Sequence, residues 1–509
     1  MSASPADLKS SVPSSLRSLS MPIHDQVQAH LEQGVVGFPT ALATAVGLVM
    51  ASPVILTATT GFSIGGVSFL LAICIAFGLM QLQAMSFSEA AAMIPTAGSV
   101  YDYIACGLGR FFAITGTIAA YMMVHVFAGT AETILSGVMA TVNFPALHEL
   151  LSSHHITWAV GVGMVALFGL LNYFGITAFA KVEIFLTVSM WCTLMCFGLS
   201  GLVRHPAVSL DGFFGASQVG TDGYAVMSLV GMAMFMFLGV EFVTPLAPEL
   251  KKAHRTIPRA MMLGLVGVWL CMVIWGAAMA RQVNNVALDP QGAVHLLETP
   301  DAIPVFAMAV MGPAGRFWLG IAFLLAGAAT INTLMAGLPR ILYGMACEGA
   351  LPRVFARLHP RHKSPVFGIA VSVAIPIVHT LLIHGDLDRI MPLVLAAVCS
   401  WGVAYLLVNL SIVALRRRRP DLPRAYRSPW FPLPQLLASV GIVIAIVFIT
   451  PPNMNPSDIF VPFGVMLAVT AGYALLWTRW VQRQPLFEPV PVEAVLEREL
   501  GRSTAAGHD

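Results

Sequence analysis

Gly47–Pro53 reads GLVMASP and Gly239–Pro245 reads GVEFVTP. Each has a Gly, four residues, a Ser or Thr, then a Pro. Each lies inside an apolar run long enough to cross a bilayer. A proline inside a helix removes one backbone donor and clashes with the carbonyl of the preceding turn. In hydrocarbon, freed backbone groups are tolerated only where they are buried in protein or line a cavity. Two interrupted spans in corresponding positions point to the binding site of a transporter. The plainer alternative is a pair of unrelated proline kinks.

The rest of the chain fits a membrane setting. Of its 509 residues, 57% are hydrophobic and 10% are charged, and the mean hydropathy is +0.80. Soluble domains carry about 25% charged residues. The apolar residues form a dozen blocks of about 18–30, and about 20 span the hydrocarbon layer. The fold class expected is all-α and polytopic. The seven cysteines sit mostly inside the blocks, with no CxxC pair, so neither a disulfide framework nor a metal site is expected. No HExxH, no GxSxG with partners and no ligand cluster points to an enzyme or a cofactor. The first 40 residues are polar and lack a signal-peptide pattern.

Twelve spans are expected, near 41–61, 67–93, 110–140, 156–175, 179–203, 225–250, 259–282, 303–347, 366–384, 390–415, 435–450 and 459–480. The breaks are expected near Ala51–Val54 in span 1 and Val240–Pro245 in span 6. The chain then divides into an N-terminal segment (1–40), a twelve-helix domain (41–480) and a short polar tail (481–509). With the N-terminus inside, Lys251, Lys252, Arg255, Arg353, Arg357, Arg361, Lys363 and Arg416–Arg419 all fall on the cytoplasmic side. Only Arg204, Arg281, Arg316 and Arg389 fall outside. The positive-inside rule therefore puts both termini in the cytoplasm. The Arg416–Arg419 run is read as a topology signal and not as a nucleic-acid patch. Spans 1 and 6 are five crossings apart and run in opposite directions. Spans 1–5 and 6–10 thus suit an inverted repeat with its site at mid-membrane, spans 11 and 12 being extra.

Four stretches, in this order, resemble the amino acid–polyamine–organocation (APC) superfamily, whose members have the LeuT-type fold. They are Ser88–Tyr103 (SEAAAMIPTAGSVYDY), Phe235–Pro258 (FMFLGVEFVTPLAPELKKAHRTIP), Pro339–His359 (PRILYGMACEGALPRVFARLH) and Arg417–Arg427 (RRRPDLPRAYR). The resemblance implies a secondary transporter of amino acids or amines. In such carriers a glycine-rich break in span 1 aims N–H groups at the substrate carboxylate. Here the aligned residues are Ala51, Ser52 and Pro53. Pro53 has no N–H and Ala51 is less permissive than Gly. Either the substrate is an amine without a carboxylate, or other N–H groups take over that task. The span 5 lysine of many relatives is also missing. The corresponding position, nine residues after Lys181, is Met190. Thr330, Asn332 and Thr333 offer oxygens to a hard cation, or serve as ordinary interhelix hydrogen bonders.

An acid within a span is a functional candidate by default. Glu241, beside Gly239 and Val240 in the span 6 break, is the first candidate for pairing with substrate and for carrying a proton. Glu132 in span 3 is the second. It either brackets a cation with Glu241 or sits at headgroup level near the outer mouth. His125 is the third coupling candidate, or else a packed hydrogen-bond partner. Phe235 occupies the place where relatives carry an aromatic lid. Glu89 and Arg340 match family positions; either they close the cytoplasmic gate as an ion pair, or each caps its own helix at the interface. Asp102 and Glu183 are read as ordinary acids facing the cytoplasmic side.

The expected function is alternating-access transport of amino acids, polyamines or related amines, coupled to protons, with sodium ranked behind. An uncoupled exchanger is the alternative of the same fold; a nutrient sensor or channel-like protein is the alternative of another class. The expected setting is the plasma membrane, such as a bacterial inner membrane, as a monomer or homodimer with no nucleic-acid partner.

Overall fold

The computed structural model describes residues 31–204, 223–286, 296–297, 299–450 and 454–500. Most of the expected N-terminal segment and the last nine residues lie outside the described residues. Among the described residues the regular structure is helical throughout.

Eight helices are long and apolar enough to cross a membrane. They are α2 (Ser68–Met93), α3 (Arg110–Thr141), α5 (Ile176–Val203), α6 (Leu229–Glu249), α7 (Ala253–Val283), α8 (Ala302–Cys347), α10 (Leu387–Arg418) and α12 (Pro456–Gln482). A bent pair, α1a (Phe38–Gly47) and α1b (Ser52–Gly66), forms one more span with a 53° bend. Three shorter apolar helices, α4 (Ala159–Tyr173), α9 (Val366–Leu382) and α11 (Leu433–Val447), lie where the remaining three spans were expected. Among the described residues, this is the arrangement of a multi-pass membrane protein. Leu167, Leu170, Phe185 and Val188 on α4 and α5 remain exposed, as lipid-facing residues should.

Local chemistry sets where these helices start. Pro39, Pro53, Pro434 and Pro456 stand in the first turns of α1a, α1b, α11 and α12. There the missing N–H costs nothing, because first-turn donors have no intrahelical partner. Arg416, Arg417 and Arg418 close α10, where cations favour the negative end of the helix dipole.

The two broken helices meet end to end. Gly34 and Val36, just before α1a, donate to the carbonyls of Pro248 and Glu249 at 3.0 Å, and Lys251 donates back to Val36 at 2.8 Å. The start of α1 therefore lies against the end of α6, so the two run in opposite directions, as expected of an inverted repeat. Span 3 carries a π-helical stretch, Ile118–Met123. Residues Val100–Leu108 form a separate helix before it.

The polar tail differs from expectation. Residues Val492–Leu500 form a helix, α13, whose Val492 and Val495 are buried together with the preceding Val490. The chain before it is also held: Phe111 donates to Leu486 at 2.9 Å, and Val490 donates to Ala105 at 3.0 Å. Three apolar side chains spaced along the tail give it a face to bury, which a reading of its net polarity overlooked.

Candidate substrate site at the two helix breaks

The break in α1 falls at Leu48–Ala51, slightly before the expected position. Ala51 is extended (φ −64°, ψ 155°), and Ser52 opens α1b with Pro53 in its first turn. Every N–H at this helix start can be traced. Ser52 N donates to Glu132 Oε2 at 2.8 Å, and its hydroxyl donates to Glu132 Oε1 at 2.9 Å. Pro53 has none. Val54 and Ile55 both donate to the Ala51 carbonyl, at 2.9 and 3.1 Å. Glu132 is 1% exposed. It is packed among the helices and caps α1b from α3.

The break in α6 also falls earlier than expected. The helix ends at Phe235, residues 236–239 are turns, and Gly239 takes a left-handed conformation (φ 100°, ψ −4°). Such a φ favours glycine. Val240–Glu249 then continues as a 3-10 helix that accommodates Pro245 and Pro248. Val240 and Glu241 are its first residues, and Glu241 is fully buried. Trp401 Nε1 donates to Glu241 Oε1 at 2.9 Å, and the Tyr405 hydroxyl donates to Oε2 at 2.6 Å. Tyr405 also accepts from the Gly239 N–H at 3.4 Å. Sequence reasoning missed Trp401 and Tyr405. The signal available was their spacing of one helical turn on α10, which puts both on one face.

The two breaks are neighbours. A Cβ on Gly239 would lie 2.8 Å from Leu48 Cδ2 and 3.7 Å from Trp401. On the other side of α1 stands Glu183 of α5. A Cβ on Gly47 would fall 2.1 Å from Glu183 Oε1. Glu183 is not an ordinary acid facing the cytoplasm; it is fully buried. It accepts from Asn332 Nδ2 at 2.7 Å, Thr333 Oγ1 at 2.8 Å and Thr187 Oγ1 at 3.2 Å. Asn172 of α4 donates on to Asn332 Oδ1 at 2.9 Å, and Thr330 donates to the Gly47 carbonyl at 3.0 Å. The polar side chains of α8 thus act here as interhelix hydrogen bonders.

The other candidates are placed as follows. His125 is buried, and its Nε2 lies 2.7 Å from the Ser372 carbonyl, so that nitrogen carries the proton. Phe235 closes the first half of α6 and is 4% exposed. Near the break the ring contacts belong to others, such as Tyr121 with Phe242 at 5.0 Å. Tyr121 comes from the π-helical stretch of α3.

The expected Glu89–Arg340 pair does not form. Arg340 instead makes a two-pronged bridge to Glu249 at the end of α6, with Nη2 at 3.1 Å, and both side chains are buried. Glu89 is held by Arg416 through two bonds of 2.6 Å, by the Ser428 N–H at 2.9 Å, and has Arg424 at 3.4 Å. The cause is packing. Arg340 Nη1 is anchored on the Ala336 carbonyl of its own helix, while the guanidinium faces α6. Glu89 faces the arginine-rich end of α10.

The same basic end carries a cluster of acids. Glu499 of α13 accepts from Ala97 N at 2.7 Å and from Gly98 N at 3.2 Å. Asp102 accepts from Thr96 at 2.6 Å. Gly344 of α8 packs on this turn, a Cβ there falling 2.2 Å from Gly98 N. Burial pushes Glu499 up to about 7, against the hydrogen bonds it accepts. Burial and the neighbouring Glu499 and Glu348 raise Asp102 as well.

Among the described residues, nine candidate spans, three shorter apolar helices, two antiparallel broken helices and buried acids at both breaks make the architecture of a membrane transporter. A protein-family model described as amino acid permease matches residues 36–476, and the chain belongs to that family. It is similar to the branched-chain amino acid permease BcaP of Bacillus subtilis, at 23% identity over 76% of this chain and 82% of that protein. It is also similar to the cationic amino acid transporter 4 of Mus musculus, at 23% identity over 74% and 59%. A probable GABA permease of Pseudomonas aeruginosa matches at 24% over 77% and 82%.

Proposed function

We propose that this chain is a secondary active carrier of amino acids or related organic amines, including polyamines, working by alternating access in the plasma membrane. The observation that carries the reading is Glu241. It is an acid at the break of a membrane helix, buried, and hydrogen-bonded to the neutral donors Trp401 and Tyr405. An intramembrane acid held in this way can balance a substrate ammonium or accept a proton. The names of the relatives support an amine-bearing substrate. The carrier couples uptake to protons, with Glu241 as the proton site. Backbone carbonyls at the breaks hold the ammonium, and Phe235 closes over it. The basic loops face the cytoplasm, so the Arg340–Glu249 bridge belongs to the inner gate.

Uptake of labelled amino acids and amines into proteoliposomes tests this directly. Accumulation driven by an inward proton gradient is expected. Uptake that needs internal substrate and ignores the gradient selects an uncoupled exchanger. A bound ligand without any flux selects a sensor.

A further inference from the structure

Helix N-termini at a membrane break attract anions, because unpaired N–H groups and the helix dipole both point there. At α1b that place is taken. The Glu132 carboxylate receives the Ser52 N–H and hydroxyl, Pro53 offers nothing, and Val54 and Ile55 turn back on Ala51. A substrate carboxylate arriving at α1b would find no donor among these four residues. It would also lie beside a carboxylate already there, in a water-poor site where like charges repel strongly.

A second observation points the same way. Glu132, Glu183 and Glu241 are all buried near the breaks. Their hydrogen-bond partners are Ser, Thr, Asn, Trp and Tyr, which are neutral. Among the described residues, every ion pair of an arginine in the bundle goes to some other acid. The region is rich in acid and poor in base. Its complement is a cation that brings no negative charge of its own.

We propose that the substrate is a cationic organic amine without a carboxylate, and that Glu132 sets this choice by standing in for the carboxylate of an amino acid. This rests on the carrier reading and narrows its substrate class. It departs from the substrates named for the relatives.

The experiment uses substrate pairs that differ by one carboxylate: putrescine and ornithine, cadaverine and lysine, ethanolamine and serine. Thermal shift of the purified wild-type protein and uptake into proteoliposomes are read for each pair. The amine of at least one pair is expected to stabilise the protein and to be taken up, by at least about tenfold over its amino acid. Glu132→Gln keeps a contact to Ser52, its Oε1 accepting the N–H while its amide donates to the hydroxyl. It is expected to shrink that ratio toward the amino acid. Preference of the wild type for the amino acid overturns the amine assignment and leaves the carrier reading intact. A ratio unchanged in Glu132→Gln, in protein with wild-type thermal stability, overturns the role of Glu132. If no member of any pair binds or moves, the amine assignment falls, and the uptake panel of amino acids and amines decides the carrier reading separately.

Discussion

The break in α1 and the break in α6 solve one problem in two ways. Each leaves polar backbone inside a membrane protein, and each ends on a buried glutamate. At α1 the acid comes from another helix: Glu132 of α3 reaches Ser52 across 80 positions of sequence. At α6 the acid belongs to the broken segment itself, and two aromatic donors of α10 hold it. The difference separates two tasks. At α1 the acid spends its acceptors on backbone and hydroxyl of the helix start, which fixes the shape of the site. Glu241 bonds to side chains that can release it, which leaves it able to exchange partners with a substrate or a proton.

The strongest way to break this comparison is Glu241→Gln. Accumulation driven by a proton gradient is expected to be lost, and full gradient-driven uptake across the pH range would remove Glu241 from the coupling role. Tyr405→Phe comes next. It deletes the 2.6 Å donor, and a hydrogen bond to a charged group is worth about 1.5–3 kcal/mol. The expected readout is a shifted pH profile of uptake with a smaller change in thermal stability; an unchanged profile would mean that Tyr405 only packs. Ser52→Ala tests the other break. It removes the hydroxyl but keeps the N–H on Glu132, so the loss should fall at the low end of the same range, about 1.5 kcal/mol. Thermal melting should register it with the pH profile left in place. A profile that moves as far as in Tyr405→Phe would erase the distinction between the breaks.

The smallest expected effect concerns the tail, away from both breaks. With Glu499 pushed up to about 7 from its ordinary 4.5, docked α13 binds protons that an undocked helix would release. Docking is then fully favoured below about 4.5 and weakens as pH rises through about 7. Hydrogen exchange at Val492–Leu500, corrected for its intrinsic rate, should be faster at about pH 8 than at about pH 6. Equal protection at both would show that the Ala97 and Gly98 amides, and not a proton on Glu499, hold the helix.

Much of the fold was legible because it follows from local properties. Apolar length sets a span, and the twelve expected spans match the helices to within a few residues. Gly239 announced the α6 break because a left-handed residue favours glycine. Pro53 announced the start of α1b, because proline fits a first turn. The candidate site was legible in part. Glu241 was marked by its place next to Gly239, and Glu132 by being an acid in an apolar run. Neither clue says which groups meet them. Trp401 and Tyr405 looked like two aromatics among many, and Glu183 like an acid near a helix start.

The arginine pairs show where reading along the chain stops. Glu89 and Arg340 matched family positions and suggested one bridge, yet each has another partner, because a buried charge pairs with whatever the packed helices bring within reach. The sequence by itself determined that the chain is built of apolar helices, where two of them break to within a few residues, and which of them carry acids. Only the tertiary structure decided that Glu132 fills the start of α1b, that Glu241 hangs on α10, and that the tail folds back onto the basic end. The physical reason is range. Span length, proline and glycine act over a few residues, whereas a hydrogen bond or ion pair needs two groups within about 3 Å, a condition set by how distant helices pack.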